Sequence, residues 1–171
     1  MFAHRIDDAL IGETLARART SPRRRANHCF HAPTDRLQRM VNAALRGSYF
    51  APHRHKDPDK LEIFTILSGR VMVIIFDDAG GIAEQALLSS EAEDPAGQKP
   101  VKQVEIPAGS WHTLAVLSPE AVLYEVIDGH FDPKTHKRFA PWAPSEADPA
   151  AAQAYLADLI RRCGHGNDDI S

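Results

Sequence analysis

Three histidines and one glutamate have the residue types and the spacing of a metal site. His53 and His55 are separated by one residue, and Glu62 and His112 follow in later segments. Imidazole nitrogens combined with a carboxylate oxygen suit divalent iron, manganese, zinc, nickel, cobalt or copper. Four protein ligands leave room for water or substrate when the ion is five- or six-coordinate. The sequence therefore predicts one divalent ion of open identity, at a site that could be catalytic.

The spacing of these four residues indicates extended strands. Side chains alternate between the two faces of a strand, so His53 and His55 would point the same way, about 6.6 Å apart along it. Glu62 begins a second apolar segment, and we expect a hairpin to bring its carboxylate opposite the two histidines. His112 would complete the set from a third strand. Each residue alone could be an ordinary surface or core side chain, and the combination is what points to a metal.

Short strand-like segments separated by turn residues fill the middle of the chain. They are rich in β-branched and aromatic residues, and they predict strands at 37–45, 49–55, 61–67, 71–76, 82–88, 102–106, 111–117 and 121–126. Strands of this number and length are typical of a sandwich or a barrel. The barrel would span about residues 27–128.

Helices are predicted on both sides of these strands. Apolar residues at helical spacing indicate an N-terminal helix at about 6–19. After an irregular segment that begins near residue 129, Asp148 is a predicted N-cap, Pro149 a first helical residue and Gly164 a stop signal. The whole chain, residues 1–171, is therefore interpreted as one domain, with the second helix ending near 164.

The order of the candidate ligands resembles the paired motifs of the cupin superfamily. Residues 47–69 place His-x-His and the glutamate between two glycines, and residues 107–112 read Pro-x-Gly-x-x-His. This resemblance implies a mainly β, cupin-type jelly-roll barrel with an N-terminal and a C-terminal helix. It also implies that the ligands converge inside the barrel.

Longer stretches resemble one cupin group, the WbuC family of cupin-fold metalloproteins. The matching stretches lie within residues 25–144 and read RANH at 25–28, LQRM at 37–40, GSYFAPHRH at 47–55, KLE at 60–62, FDD at 76–78, VEIPAGSWHTL at 104–114 and FAPWAP at 139–144. Two positions depart from the family pattern. Val116 stands where an asparagine is common, and Ile127 stands where members often have a lysine. His130 is a hypothetical substitute for that lysine.

Two classes of function stay open. Members of the family often occur in bacterial polysaccharide gene clusters, so the resemblance implies a role in O-antigen or capsule sugar metabolism. The first class is a metalloenzyme that acts on a small sugar or sugar-derived acid by isomerisation, epimerisation or oxygen-dependent chemistry. The second is a non-catalytic module that binds a small ligand or regulates a pathway. The expected partner is a small-molecule ligand, for which an anionic sugar is one candidate.

Four further residues are candidates for the pocket around the ion. Tyr49 shares strand parity with His53, so its hydroxyl is expected to face the interior. Arg39 could recognise a carboxylate or phosphate through its guanidinium. Both are also candidate catalytic residues, and Asn27 and His28 are candidates for the pocket rim. The alternatives for Tyr49 and Arg39 are a hydroxyl bonded to backbone and an arginine paired with a local acid.

Bulk properties exclude several other classes. The net charge of −3 argues against a nucleic-acid or membrane-surface protein, and no apolar run approaches the length of a membrane span. A Gly-x-Ser-x-Gly elbow and a phosphate-binding loop are both missing from the sequence. We expect a cytoplasmic protein that forms a homodimer through barrel edges. The roles of Cys29 and Cys163 stay open.

Overall fold

Ten strands and two helices make up the part of the chain that the computed structural model describes, residues 4–94 and 96–165. The predicted domain range of 1–171 also contains residues 1–3, 95 and 166–171, which lie outside the described residues. In chain order the elements are α1 (Asp8–Thr20), β1 (Arg25–Cys29), β2 (Leu37–Leu45), β3 (His53–Arg54), β4 (Glu62–Ser68), β5 (Arg70–Phe76), β6 (Ile82–Ser89), β7 (Gln103–Ile106), β8 (Trp111–Val116), β9 (Glu120–Asp128), β10 (Arg138–Phe139) and α2 (Pro149–Arg162).

The strands form two antiparallel sheets of five strands each. The first sheet has the order β1-β2-β9-β4-β7, and the second has the order β10-β3-β8-β5-β6. Apolar side chains from both sheets meet in one buried cluster, including Phe64 and Leu123 from the first sheet and Val73 and Leu114 from the second. The prediction of a mainly β jelly roll with a helix at each end is confirmed.

The N-terminal helix packs on the outer face of the first sheet. The Asp7 side chain caps it by accepting a hydrogen bond of 3.0 Å from the Leu10 backbone amide. Ala18 is fully buried against Val41 and other residues of this sheet. The helix begins two residues later than predicted, so Ile6 lies before it.

The C-terminal helix covers the outer face of the second sheet. Asp148 accepts a hydrogen bond of 3.1 Å from the Ala151 amide, and Pro149 is the first helical residue, as predicted. Leu156, Leu159 and Ile160 belong to the buried cluster that also contains core residues of β5. Within the described residues, neither helix combines the length and the apolar character needed to cross a membrane.

Two predictions about the strands were wrong in ways that affect the site. Of the segment 49–55, which was predicted as a strand, only β3 pairs within a sheet. Pro52 has no backbone N–H to donate to a neighbouring strand, and the Tyr49 carbonyl accepts a hydrogen bond from the Arg25 side chain instead of from a strand. The expected hairpin between the histidines and Glu62 does not form, since β3 and β4 belong to different sheets. In addition, β1 and β10 were not predicted as strands.

Candidate metal centre

The four predicted ligands converge between the two sheets. His53 in β3 lies directly opposite His112 in β8 within the second sheet, and His55 follows β3 immediately. Glu62 is the first residue of β4 in the first sheet. All four side chains are buried, and each offers a donor atom within 4.8 Å of the other three. Among the described residues they are the group that could hold a metal ion.

The distances between these donor atoms are those of neighbouring ligands around one ion. Glu62 Oε2 lies 2.8 Å from His112 Nε2 and 3.2 Å from His55 Nε2. Metal–ligand bonds of about 2.1 Å at near-right angles separate adjacent donors by about 3 Å. The separations therefore fit one divalent ion held by the set of three imidazoles and one carboxylate.

The second nitrogen of each histidine is fixed by a backbone carbonyl. Nδ1 of His53 lies 3.0 Å from the Ala51 oxygen, and Nδ1 of His112 lies 2.9 Å from the Ser110 oxygen. Nδ1 of His55 lies 2.5 Å from the oxygen of His136. A carbonyl only accepts hydrogen bonds, so each Nδ1 must carry the proton and donate. In the neutral ring each Nε2 then presents a lone pair to the centre.

This arrangement is unfavourable unless a cation lies between the donors. The lone pairs on Nε2 of His112 and His55 face the negatively charged oxygen of Glu62. Nε2 of His53 and Nε2 of His112 are buried without a hydrogen-bond partner among the described residues. A buried polar atom without a partner destabilises a fold by about 1–3 kcal/mol. A divalent ion at the centre would remove both problems, so the residues present fit a bound metal.

The electrostatics of the centre also favour neutral imidazole and ionised carboxylate. Burial, reinforced by the nearby Lys137 and His112, lowers the pKa of His53 well below its ordinary value. Burial acts to raise the pKa of Glu62, but its close contacts with the His112 and His55 rings outweigh burial and hold the pKa well below its ordinary value. Metal ligands must be deprotonated, and these shifts favour that state.

The centre lies in the wall of a cavity of about 370 Å³. This volume is within the range of small-molecule sites. The cavity combines polar, charged and apolar side chains from both sheets and from the segment after β9. Its lining includes Arg23, Arg25, Asn27, Asn42, Phe50, His53, Glu62, His112, Glu125, Phe131, His136 and Lys137.

A second buried glutamate contacts the ligand glutamate. Burial raises the pKa of Glu125 well above its ordinary value, and the charge of Glu62 and the hydrogen bond between the two groups add to the effect. The Asn42 side-chain amide donates a hydrogen bond to Oε2 of Glu125. Asn42 thus holds Glu125, and Glu125 in turn holds Glu62. Both residues also line the cavity.

Tyr49 does not reach the cavity. Its hydroxyl donates a hydrogen bond of 2.8 Å to the Pro144 carbonyl, and its ring packs edge-on against Tyr155 of α2. Burial raises the pKa of this hydroxyl. The parity argument failed because residues 49–52 are not a strand, so the alternation of faces does not extend from His53 back to Tyr49. The contacts of Tyr49 match the alternative interpretation, a hydroxyl bonded to backbone.

Of the other three candidates, one borders the cavity. Arg39 and His28 are absent from its lining because they occupy the outer-face positions of their strands, whereas Asn27 lies across from Asn42 and borders the cavity. Arg39 pairs with Asp35 at 3.0 Å, which is the local-acid alternative. His28 packs against Phe30.

Sequence reasoning missed most residues of the cavity, among them Glu125, Arg25 and Lys137. Glu125 is an acidic residue within an apolar strand at an inward position, and this pattern could have identified it. Arg25 is the first residue of β1, a strand that was not predicted. Lys137 lies in the irregular segment before β10, where no periodicity indicates the direction of a side chain. His130, considered as a substitute for lysine, is exposed and contacts the Asp35 carbonyl outside the cavity lining.

The two cysteines lie apart from the centre. Cys29 is exposed at the end of β1, and Cys163 is buried at the end of α2. Burial raises the pKa of the Cys163 thiol to about 11, which keeps it protonated at neutral pH.

Comparisons with known proteins support the fold and leave the function open. Residues 6–88, just under half of the chain, match a family described as a domain of unknown function (DUF6016). No curated protein matches the chain. The resemblance to the WbuC family stays a prediction.

Solved structures share the architecture at low sequence identity. The capsular polysaccharide assembling protein CapF from Staphylococcus aureus is 22% identical with a TM-score of 0.54, and the match covers 67% of this chain but only 31% of the CapF chain. The protein TT1209 from Thermus thermophilus is 24% identical with a TM-score of 0.52, covering 74% of this chain and 98% of TT1209. Protein SO0799 from Shewanella oneidensis is 11% identical with a TM-score of 0.54, covering 80% of this chain and 84% of SO0799. The fold is therefore of the cupin type.

Proposed function

We propose that the protein is a divalent-metal-dependent enzyme that acts on a small sugar or sugar-derived acid. The observation that carries this proposal is the set of Nε2 lone pairs and the Glu62 carboxylate aimed at one point in the wall of a cavity. A purely structural ion would favour a closed, dry shell of ligands. Here His53, Glu62 and His112 also line the cavity, so a ligand in the cavity would lie beside the ion.

The residues of the chain have separate tasks in this proposal. The carbonyls of Ala51, Ser110 and His136 hold the imidazole rings in one tautomer, and Glu125 supports Glu62. When bound, a divalent ion supplies Lewis acidity toward a substrate oxygen, or redox chemistry if it is iron. Isomerisation and epimerisation would use the Lewis acidity, and oxygen-dependent conversion would use the redox chemistry. The name of the similar protein CapF, a capsular polysaccharide assembling protein, supports sugar metabolism as the setting.

Turnover distinguishes this proposal from a non-catalytic module. The protein is loaded separately with Fe(II), Mn(II) and Zn(II) and incubated with nucleotide sugars and sugar acids, and products are followed by mass spectrometry and oxygen uptake. NMR detects isomers of equal mass. We expect conversion of at least one sugar by the metal-loaded protein and none by the metal-loaded His112→Ala variant. Saturable binding without any product would instead favour a binding or regulatory role.

A further inference from the structure

Lys137 is a cation of the cavity that makes no direct hydrogen bond or ion pair with the residues that the structure describes. Arg23 and Arg25 both line the cavity, but both bind the Glu146 carboxylate, at 2.9 Å and 2.7 Å. Arg25 is also held by the Tyr49 carbonyl and lies over the Phe50 ring. Lys137 lines the same cavity and remains accessible to solvent. Its ammonium makes no hydrogen bond or ion pair within the described residues.

The backbone around Lys137 is anchored to the segment 53–55, which contains two of the candidate metal ligands. On one side, the carbonyl of His136 accepts the hydrogen bond from His55. On the other side, Phe139 of β10 pairs with His53 of β3. These two anchors fix the origin of the Lys137 side chain relative to the metal centre. The backbone of Lys137 is therefore held in part by the contact that orients the His55 imidazole.

The charges around the cavity leave a positive excess once a metal is bound. A divalent ion contributes two positive charges, Lys137 adds one, and Glu62 removes one. The remaining excess is positive whether Glu125 is protonated or ionised. A neutral ligand would leave this excess uncompensated in a partly buried site, whereas an anionic ligand would neutralise it.

The single ammonium of Lys137 favours a carboxylate over a phosphate as the anionic group of the ligand. Phosphate groups are usually held by several donors, such as an arginine fork or the backbone amides of a helix N-terminus. The arginines here are already paired with Glu146, and Lys137 offers a single compact charge. One free ammonium beside a divalent ion matches one carboxylate with a neighbouring hydroxyl or carbonyl oxygen.

We propose that Lys137 is a specificity residue that receives the carboxylate of a sugar acid, with the neighbouring oxygen of that acid facing the metal ligands. This inference rests on the proposed function and defines its substrate class as carboxylate-bearing sugars. Asn27 at the cavity border and the ring of Phe131 would contact the remainder of such a ligand.

The test measures ligand binding to the Co(II)-loaded protein, not turnover. D-Galacturonate and D-gluconate are titrated by calorimetry and by the visible absorption of cobalt, with D-galactose as the neutral counterpart and D-galactose 1-phosphate as the phosphate counterpart. The variant is Lys137→Met, and the matched control is Lys134→Met, three residues earlier, exposed, and outside the cavity lining. Cobalt stoichiometry is measured first for all three proteins.

We expect at least one of the two acids to bind the wild-type protein more tightly than galactose. Lys137→Met should raise its dissociation constant about tenfold while cobalt stoichiometry and galactose binding stay unchanged. Lys134→Met should behave as wild type. Failure of both acids to bind, equal binding to Lys137→Met, or a Lys137-dependent preference for the phosphate would overturn the inference. Failure of the wild-type protein to bind cobalt would instead overturn the proposed function.

Discussion

Each histidine of the candidate centre uses one nitrogen for the fold and the other for the ion. The Nδ1 protons bond to backbone carbonyls, so the rings cannot rotate without losing a buried hydrogen bond. This division explains why the donor set is arranged before any ion binds. It also means that removal of one ring has two effects, the loss of a ligand and the loss of a backbone contact.

Replacing a ligand tests the centre at the level of single residues. We expect His53→Ala and His112→Ala to weaken Zn(II) or Co(II) binding by more than about 100-fold, since the loss of even a supporting contact costs 10- to 100-fold. His130→Ala is the matched control, because His130 is exposed and lies outside the cavity lining. Metal content and affinity are measured by elemental analysis and titration, with circular dichroism to check folding. Unchanged affinity in a folded His112→Ala variant would contradict the assignment.

The ligands were predictable from the sequence, and the cavity around them was not. His-x-His and the later Glu62 and His112 have a spacing that few other arrangements produce. The pocket depends on irregular backbone, where a residue such as Tyr49 or Lys137 has no periodicity to indicate its direction. Glu125 is intermediate, because its strand is regular and its charge among apolar neighbours was a readable signal.

At the level of elements, the turn between β4 and β5 sets the geometry of both sheets. Gly69 has a φ of +79°, and a Cβ added to it would lie 2.3 Å from the Glu120 carbonyl oxygen. The adjacent strands belong to different sheets, so this turn fixes how the chain crosses from one sheet to the other.

We expect Gly69→Ala to destabilise the fold substantially. Gly97 provides a matched control, because it has a φ of +76° but no neighbour within 4 Å of an added Cβ. Gly97→Ala should carry only the strain of positive φ, about 1 kcal/mol, while Gly69→Ala adds a backbone clash and should cost about 2–3 kcal/mol more. Urea unfolding followed by circular dichroism measures both. Equal destabilisation by the two substitutions would show that the clash is relieved by movement of the backbone.

The segment between β10 and α2 is attached to the first sheet by Glu146. Its carboxylate binds Arg23 and Arg25. Burial acts to raise the pKa of Glu146, but the charge of Arg25 and its hydrogen bond outweigh this effect and lower the pKa below the ordinary 4.5. A carboxyl with a lowered pKa stabilises the fold above its unfolded-state pKa, and this contribution disappears as the pH falls through the folded-state pKa.

Glu146→Gln should therefore destabilise the protein in a pH-dependent way. We expect a loss of about 1–2 kcal/mol in the free energy of unfolding at pH 7, because Gln keeps the shape but not the charge. The difference from wild type should shrink below pH 4.5 as the wild-type carboxylate is protonated. Glu84→Gln, at an exposed position in β6, is the control and should change little at any pH. A difference that is constant between pH 7 and pH 3 would argue against the charge as its source.

At the level of the whole molecule, the fold class and both helices followed from the sequence. The N-cap Asp148, the first helical residue Pro149 and the regular strands β2 and β6 depend on local signals, which sequence patterns report well. The pairing of strands is not local. The hairpin expected between β3 and β4 assumed that neighbours in sequence are neighbours in a sheet, and the jelly roll instead sends them to opposite sheets. The homodimer expected from barrel edges stays a prediction.

Because Glu62 and the histidines come from different sheets, a bound ion would change how the two sheets open. His53, His55 and His112 belong to or adjoin the second sheet, and Glu62 belongs to the first. An ion held by all four would cross-link the sheets, so neither could open alone without breaking a metal bond. We therefore expect local opening of β4 and of β8 to be coupled in the metal-loaded protein.

Amide hydrogen exchange measures this coupling directly. Added Zn(II) should slow exchange in β4 and β8 by the same factor, although the two strands are in different sheets, while the exposed first turn of α1 should exchange at an unchanged rate. Protection confined to β8 would mean that Glu62 does not bind the ion. Equal protection in both strands would mean that opening of either strand requires release of the ion.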